Sequence, residues 1–174
     1  INCTVVLNYI KKIEKKKILL IGDSAGGHLV AALSDQRSST KKIAGQILIY
    51  PVLGNISNGG SREVHSEAPM LSLKDMEYYN SIYFSNKKKY LSDKTARPII
   101  SNTLNSIPET YVFSAEFDHL SDDSKIYVEV ITKQGGTAHL ITGFGLVHGY
   151  LRARHSSKLA DNSFKKILKI INKF

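Results

Sequence analysis

A single cysteine, Cys3, stands among 174 residues. That excludes an intrachain disulfide and any zinc site built on several thiolates, and it fits a reducing, cytoplasmic setting. No apolar run approaches the roughly 18 residues of a membrane-crossing helix, so a helical membrane span is excluded. Repeats, heptads and low-complexity tails are missing too. Acidic residues are few, 15 against 24 Lys and Arg, for a net charge of +9. Such a balance raises a nucleic-acid or anionic-membrane partner. The excess, however, is lysine in short runs at 15–17, 41–42 and 87–89, each bordering an apolar segment and none interleaved with arginine and aromatic residues. It reads as a solvated surface, and no nucleic-acid partner is expected. The remainder, 42% hydrophobic and 22% charged, composes one globular domain able to bury a core. Residues 1–8 lack the basic start of a secretory leader, and the chain opens on Ile1 in what reads as the middle of a helix, so a fragment is expected.

The apolar residues Val5, Val6, Tyr9, Ile10 and Ile13 form the stripe of an amphipathic helix with lysines opposite. The period then changes. Residues 17–21 are a short run rich in Ile and Leu that ends at Gly22, as expected of a strand buried on both faces, and a glycine-rich turn leads into a helix over 27–33. Further strands read at 44–50, stopped by Pro51, at 109–115, led in by Pro108, and at 138–141 after Gly135 and Gly136. A helix fits 124–134, a loop holds Gly143, Gly145 and Gly149, and a closing helix turns Ala160, Phe164, Ile167, Leu168 and Ile171 inward. Strands alternating with helices imply an α/β fold, a mostly parallel sheet covered on both faces, with active groups at the carboxyl ends of its strands. The stretch 55–98 interrupts the alternation with a helix near 73–84 and the aromatic set Tyr78, Tyr79, Tyr83, Phe84 and Tyr90. It is expected to be an inserted lid or pocket wall, or else an excursion with its own small core.

Gly22-Asp23-Ser24-Ala25-Gly26-Gly27 matches G-x-S-x-G in the strand–turn–helix setting that this motif requires. The serine is held on a strained turn, and Gly22 and Gly26 are expected to be the positions where a Cβ would collide. A phosphate-loop reading fails on its own letters, because His28 and Leu29 follow Gly27 where Lys and Ser or Thr are needed. Ser24 needs a base and the base needs an orienting acid, both downstream in this setting. Asp118, just past the third strand, and His148, past the fourth, meet that order. Asp122 and Asp123 read as caps of the following helix and Glu116 as a weaker acid candidate. His28 and His65 precede the acid, His139 lies within a strand, His155 near the last helix, and His119 is too close to Asp118 to reach Ser24 as well.

Taken together, Gly-Asp-Ser-Ala-Gly-Gly at 22–27, Tyr-Pro-Val at 50–52, Ser-Ala-Glu-Phe-Asp and Leu-Ser-Asp-Asp-Ser within 114–124 and His-Gly-Tyr at 148–150 resemble the hormone-sensitive-lipase-like branch of the α/β-hydrolases, which includes acetyl esterases. The resemblance runs over essentially the whole chain as the carboxyl-terminal part of that fold. It implies hydrolysis of short-acyl esters through an acyl-enzyme, with Ser24 as nucleophile, His148 as general base and then acid, Asp118 as orienting acid, the Ala25 N–H as an oxyanion donor, and no cofactor or metal. The chain departs from the pattern twice. His119 stands where the family usually has proline, and no His-Gly-Gly-Gly loop precedes Ser24. The first strand would then carry an unpaired apolar edge, and the chain is expected to be weakly active or inactive. The competing readings are a non-catalytic small-molecule-binding module on the same fold and a peptidase or thioesterase.

Overall fold

Alternation within the apolar runs decides which side of the sheet each residue feeds. The computed structural model describes residues 3–35, 42–83 and 87–174, so Ile1, Lys41 and Phe84, singled out above, lie outside the described residues. Strands β1 (Ile18–Asp23), β2 (Ile43–Ile49), β3 (Glu109–Phe117) and β4 (Ala138–Val147) form a parallel sheet in the order β1-β2-β3-β4. Ile47, Ile49, Tyr111 and Phe113 point to one face, where they pack with Ala160, Ile167 and Ile170 of helix α7 (Lys158–Ile171). Leu48 and Val112 point to the other, against Val30 and Ala31 of α2 (Ala25–Ser34) and Tyr127 and Ile131 of α6 (Ser121–Lys133). Two buried faces explain the lack of polar alternation, and each such side chain taken from water stabilises the fold by about 1.5–3 kcal/mol.

Parallel register brings all four carboxyl ends to one edge of the sheet. Asp23 lies beside Ile49 and Ile49 beside Phe113, while β3 and β4 run on together to Phe117 and Val147. The fourth strand is longer than expected, because Gly143 and Gly145 belong to it rather than to a loop. An irregularity between Ala115 and Phe117 lets β4 bulge there. Gly145 takes φ +72°, where an L side chain would be strained, and its N–H donates to the Glu116 carboxylate at 2.7 Å.

Three other expectations change. The apolar stripe of α1 (Cys3–Ile13) faces solvent: Val5, Val6, Tyr9, Ile10 and Ile13 are exposed and Leu7 is the buried residue. In α7 the inward set is Ala160, Ser163, Ile167 and Ile170, with Leu168 exposed, so the packed face is rotated slightly from the hydrophobic stripe. Asp122 and Asp123 do not cap α6, which starts three residues earlier than expected, at Ser121. Both carboxylates reach across to the segment after β2. Asp122 Oδ2 accepts from Ser61 N at 2.8 Å, and Asp123 Oδ2 accepts from Leu53 N at 2.9 Å and Asn55 N at 3.2 Å.

These bonds anchor the excursion, which holds α3 (Ser61–Val64), α4 (Leu73–Tyr83) and α5 (Lys87–Ser92). Its far end is tied to α2 by Asp35, whose carboxylate accepts from Ser101 Oγ at 2.7 Å and Thr103 Oγ1 at 2.5 Å and pairs with Lys94 at 3.4 Å. Beta-strand β1 forms one border of the sheet among the described residues, and Ile21 near its end is 46% exposed.

Burial pushes the Asp123 carboxyl up to about 7, against the two backbone N–H groups that favour its charged form. Its folded value exceeds the unfolded one near 3.9, so the native state holds the extra proton between the two and stability falls as pH rises from about 4 to about 7. Asp123→Asn should remove this decline: the stability of wild type relative to the variant, measured by urea denaturation, should drop by on the order of 4 kcal/mol between pH 4 and pH 8. A constant difference across that range would show that Asp123 does not titrate there.

Candidate active site

Each of the four strands hands its next residue to one place. Ser24 follows β1, Tyr50 follows β2, Asp118 follows β3 and His148 follows β4. Ser24 sits at φ 52° and ψ −119°, a conformation disfavoured for an L residue, held by its N–H donating to the Ile49 carbonyl at 2.8 Å and its own carbonyl accepting from His28 N at 3.2 Å. The turn closes because Gly22 has no Cβ; one there would collide with the carbonyl of Gly26. The second steric position differs from the expectation. A Cβ on Gly26 would meet only Asp23 Oδ1 at 4.0 Å, whereas one on Gly27 would meet Pro51 Cβ at 2.9 Å. The tight approach is between α2 and the chain leaving β2, which the spacing of the motif does not reveal.

Ser24 Oγ lies 2.9 Å from His148 Nε2, and His148 Nδ1 lies 2.7 Å from Asp118 Oδ2. A carboxylate can only accept, so Nδ1 carries the proton and Nε2 is left to accept from the Ser24 hydroxyl. The second oxygen of Asp118 accepts from Leu120 N at 2.9 Å. Asp118 and His148 are nearly excluded from water, at 1% and 7% exposure, which strengthens the bonds between them. Tyr50 backs the imidazole, its ring centroid 4.8 Å away, and its hydroxyl donates to Asp23 Oδ2 at 3.2 Å. Burial and the Asp23 carboxylate raise the Tyr50 phenol well above its ordinary value, so it stays a donor. Ala25 opens α2, where the first N–H groups have no partner within the helix and attract negative charge.

The other candidates lie apart from this chain of bonds. Glu116 is occupied by Gly145 N, His65 packs edge-on against Phe117, His139 pairs with Glu109 at 3.0 Å, and His155 is exposed. His119 is fully buried, neither ring nitrogen finds a hydrogen-bond partner among the described residues, and burial pushes its pKa down, so it remains neutral. His28 Nδ1 donates to the Val52 carbonyl at 3.0 Å, and the ring faces a cavity. That cavity, about 440 Å³, opens in front of Ser24 and Ala25, and α4 supplies much of one wall. Tyr79, Tyr83 and Tyr90 of the aromatic set line it, and Met76 and Asn80, to which the sequence reading gave no role, share one face of α4 with Tyr79 and Tyr83 at i, i+3, i+4, i+7 spacing. Among the described residues no group of His, Cys, Asp and Glu is placed to hold a metal ion, and no helix is long and apolar enough to cross a membrane.

A family model described as alpha/beta hydrolase fold matches residues 3–152. The chain belongs to the alpha/beta hydrolase fold family. The fold class read from the alternation of strands and helices, and the resemblance to the hormone-sensitive-lipase-like branch, both hold. This alpha/beta hydrolase is 27% identical to an arylesterase of Saccharolobus solfataricus over 162 residues, which make up 92% of this chain and 53% of that protein. It is 22% identical to an ethyl acetate hydrolase of Pseudomonas putida over 162 residues, 91% of this chain and 51% of that protein. A hyperthermophilic esterase from the archaeon Pyrobaculum calidifontis matches in structure with a TM-score of 0.87 at 26% identity, over 94% of this chain and 55% of that one. The chain thus spans about half the length of the curated relatives it matches.

The steric reading of the turn separates two glycines. Gly22→Ala should lower stability by about 1–3 kcal/mol or more, because backbone must move to admit the methyl group. Gly26→Ala should be neutral or stabilising by up to about 1 kcal/mol, since the site is open and helical. Urea denaturation of the two variants checks the contrast, and equal losses would overturn it.

Proposed function

We propose that this chain carries the nucleophile, base and orienting acid of a serine carboxylesterase acting on neutral esters of short acyl chains. The single observation behind the reading is the unbroken line of hydrogen bonds from Ser24 Oγ through His148 to the buried Asp118. The order of roles follows from the chemistry. His148 Nε2 takes the hydroxyl proton as Ser24 Oγ bonds to the ester carbonyl carbon, and the carbonyl oxygen becomes an oxyanion near the Ala25 N–H. The tetrahedral species expels the alcohol, which leaves with the proton from His148, and an acyl-Ser24 ester remains. Water then adds with His148 again as base, releasing the acid and restoring the hydroxyl. Asp118 keeps the imidazole in the tautomer that can accept from Ser24 and stabilises the imidazolium as it forms.

Several features agree with this reading. The carboxyl-end location of all three side chains is where ligands bind in open α/β sheets, and an arylesterase, an ethyl acetate hydrolase and a hyperthermophilic esterase are among the relatives. The segment 55–98 acts as the pocket wall and lid over the acyl group.

The test uses p-nitrophenyl acetate and butyrate with the wild type, Ser24→Ala and Asp118→Asn. Intact-mass measurement of acylated protein is included, so that slow turnover does not hide the first step. Acylation should be confined to chains retaining Ser24, and Asp118→Asn should slow it by about 10²–10⁴. Acylation that persists in Ser24→Ala would sink the assignment, and ester binding without any acylation of Ser24 would favour a non-catalytic binding module.

A further inference from the structure

The cavity in front of Ser24 is larger than a short acyl group needs. A cavity of about 150 Å³ holds one benzene ring, and this one measures about 440 Å³. Leu29, Val52, Leu71 and Ala96 give it apolar walls, and α4 turns Met76 and the rings of Tyr79 and Tyr83 toward it. Offset or edge-on packing against such rings favours an aromatic guest by about 0.5–1.5 kcal/mol beyond the area it buries. Among the described residues no carboxylate, ammonium or guanidinium lines the space, and the imidazole there, His28, is kept neutral chiefly by burial while Nδ1 donates to the Val52 carbonyl. An ionic guest would therefore lose water and gain no counter-charge.

One side chain departs from this apolar character. Asn80 occupies the same face of α4, one turn beyond Met76 and just short of Tyr83, is half-buried, and faces the cavity. Its carboxamide has no hydrogen-bond partner among the described residues. Asparagine is a poor residue for a helix interior, because its side chain competes for backbone groups elsewhere. A neutral amide can donate and accept at once, so it discriminates by hydrogen bonding without demanding charge.

We propose that Asn80 is a specificity-determining residue, and that the cavity takes an ester whose bulky arm is a neutral arene bearing a hydrogen-bonding substituent that the Asn80 carboxamide reads. The substrate half of this inference rests on Ser24 being the nucleophile; the cavity half does not.

Two near-isosteric pairs separate the two halves. Hydrolysis and Ser24 acylation are measured with 4-carbamoylphenyl acetate and 4-isopropylphenyl acetate, using wild type, Asn80→Leu and Asn80→Ala. The unreactive pair, benzamide and isopropylbenzene, is titrated into the same proteins and into Ser24→Ala, with binding followed by NMR. Both substitutions at Asn80 install better helix formers, so α4 should be retained, and far-UV circular dichroism checks it. The ratio of kcat/KM, carbamoyl over isopropyl, should fall about tenfold from wild type to Asn80→Leu, a comparison that cancels the intrinsic reactivity of the two esters. Benzamide affinity should fall by a similar factor while isopropylbenzene binding holds or improves. Ser24-dependent acylation with an unchanged ratio and unchanged benzamide affinity would overturn the role of Asn80 and leave the esterase reading standing. Asn80-dependent benzamide binding with no acylation of Ser24 by either ester would overturn the esterase reading and leave the cavity assignment standing.

Discussion

The reversal of the chain between β1 and α2 is the constraint on which the rest of the site depends. The half-buried border strand β1 arrives at Gly22, and a helix must leave almost at once from Ala25, so the one residue between strand and helix absorbs the whole change of direction. Ser24 does so at positive φ. The strain is sustained because both neighbours of the turn are fixed, the strand by its ladder to β2 and the helix by the burial of Val30 and Ala31. A serine held this way presents its hydroxyl at the edge of the sheet, within 2.9 Å of His148 Nε2.

Parallel pairing does the remaining assembly. Because β1 to β4 run the same way, the residues that follow their last positions emerge at one rim, although 94 residues separate Ser24 from Asp118 and 30 separate Asp118 from His148. The bulge in β4 sets how far His148 is carried past its partner strand, and the Glu116 bond to Gly145 holds that bulge in shape. Tyr50, leaving β2, fills the space behind the imidazole. Buried polar groups are therefore concentrated where they partner one another, and the cost of removing Asp118 and His148 from water is offset by the bonds each makes.

Tethers from two helices hold the excursion between β2 and β3 over this rim. Asp122 and Asp123 at the start of α6 seize its beginning, and Asp35 at the end of α2 receives its close. The pocket wall is thus pinned at its ends by carboxylates, and α4, between them, shows Met76, Tyr79, Asn80 and Tyr83 to the cavity.

By itself the sequence determined the element order, the parallel sheet, and the three residue types at strand ends that the order Ser, Asp, His requires. Those are local matters of period, turn chemistry and chain order, and they survive without coordinates. It did not determine which carboxylates near α6 would cap the helix and which would cross to another segment, since a cap and a tether share the same letters. Nor did it separate Gly26 from Gly27, because the close approach that matters there comes from Pro51 on a different strand connection. The outward-facing stripe of α1, the rotated face of α7 and the cavity wall on α4 were likewise tertiary decisions. Periodicity says that a helix has an apolar face, whereas only the packing of distant elements says what that face meets.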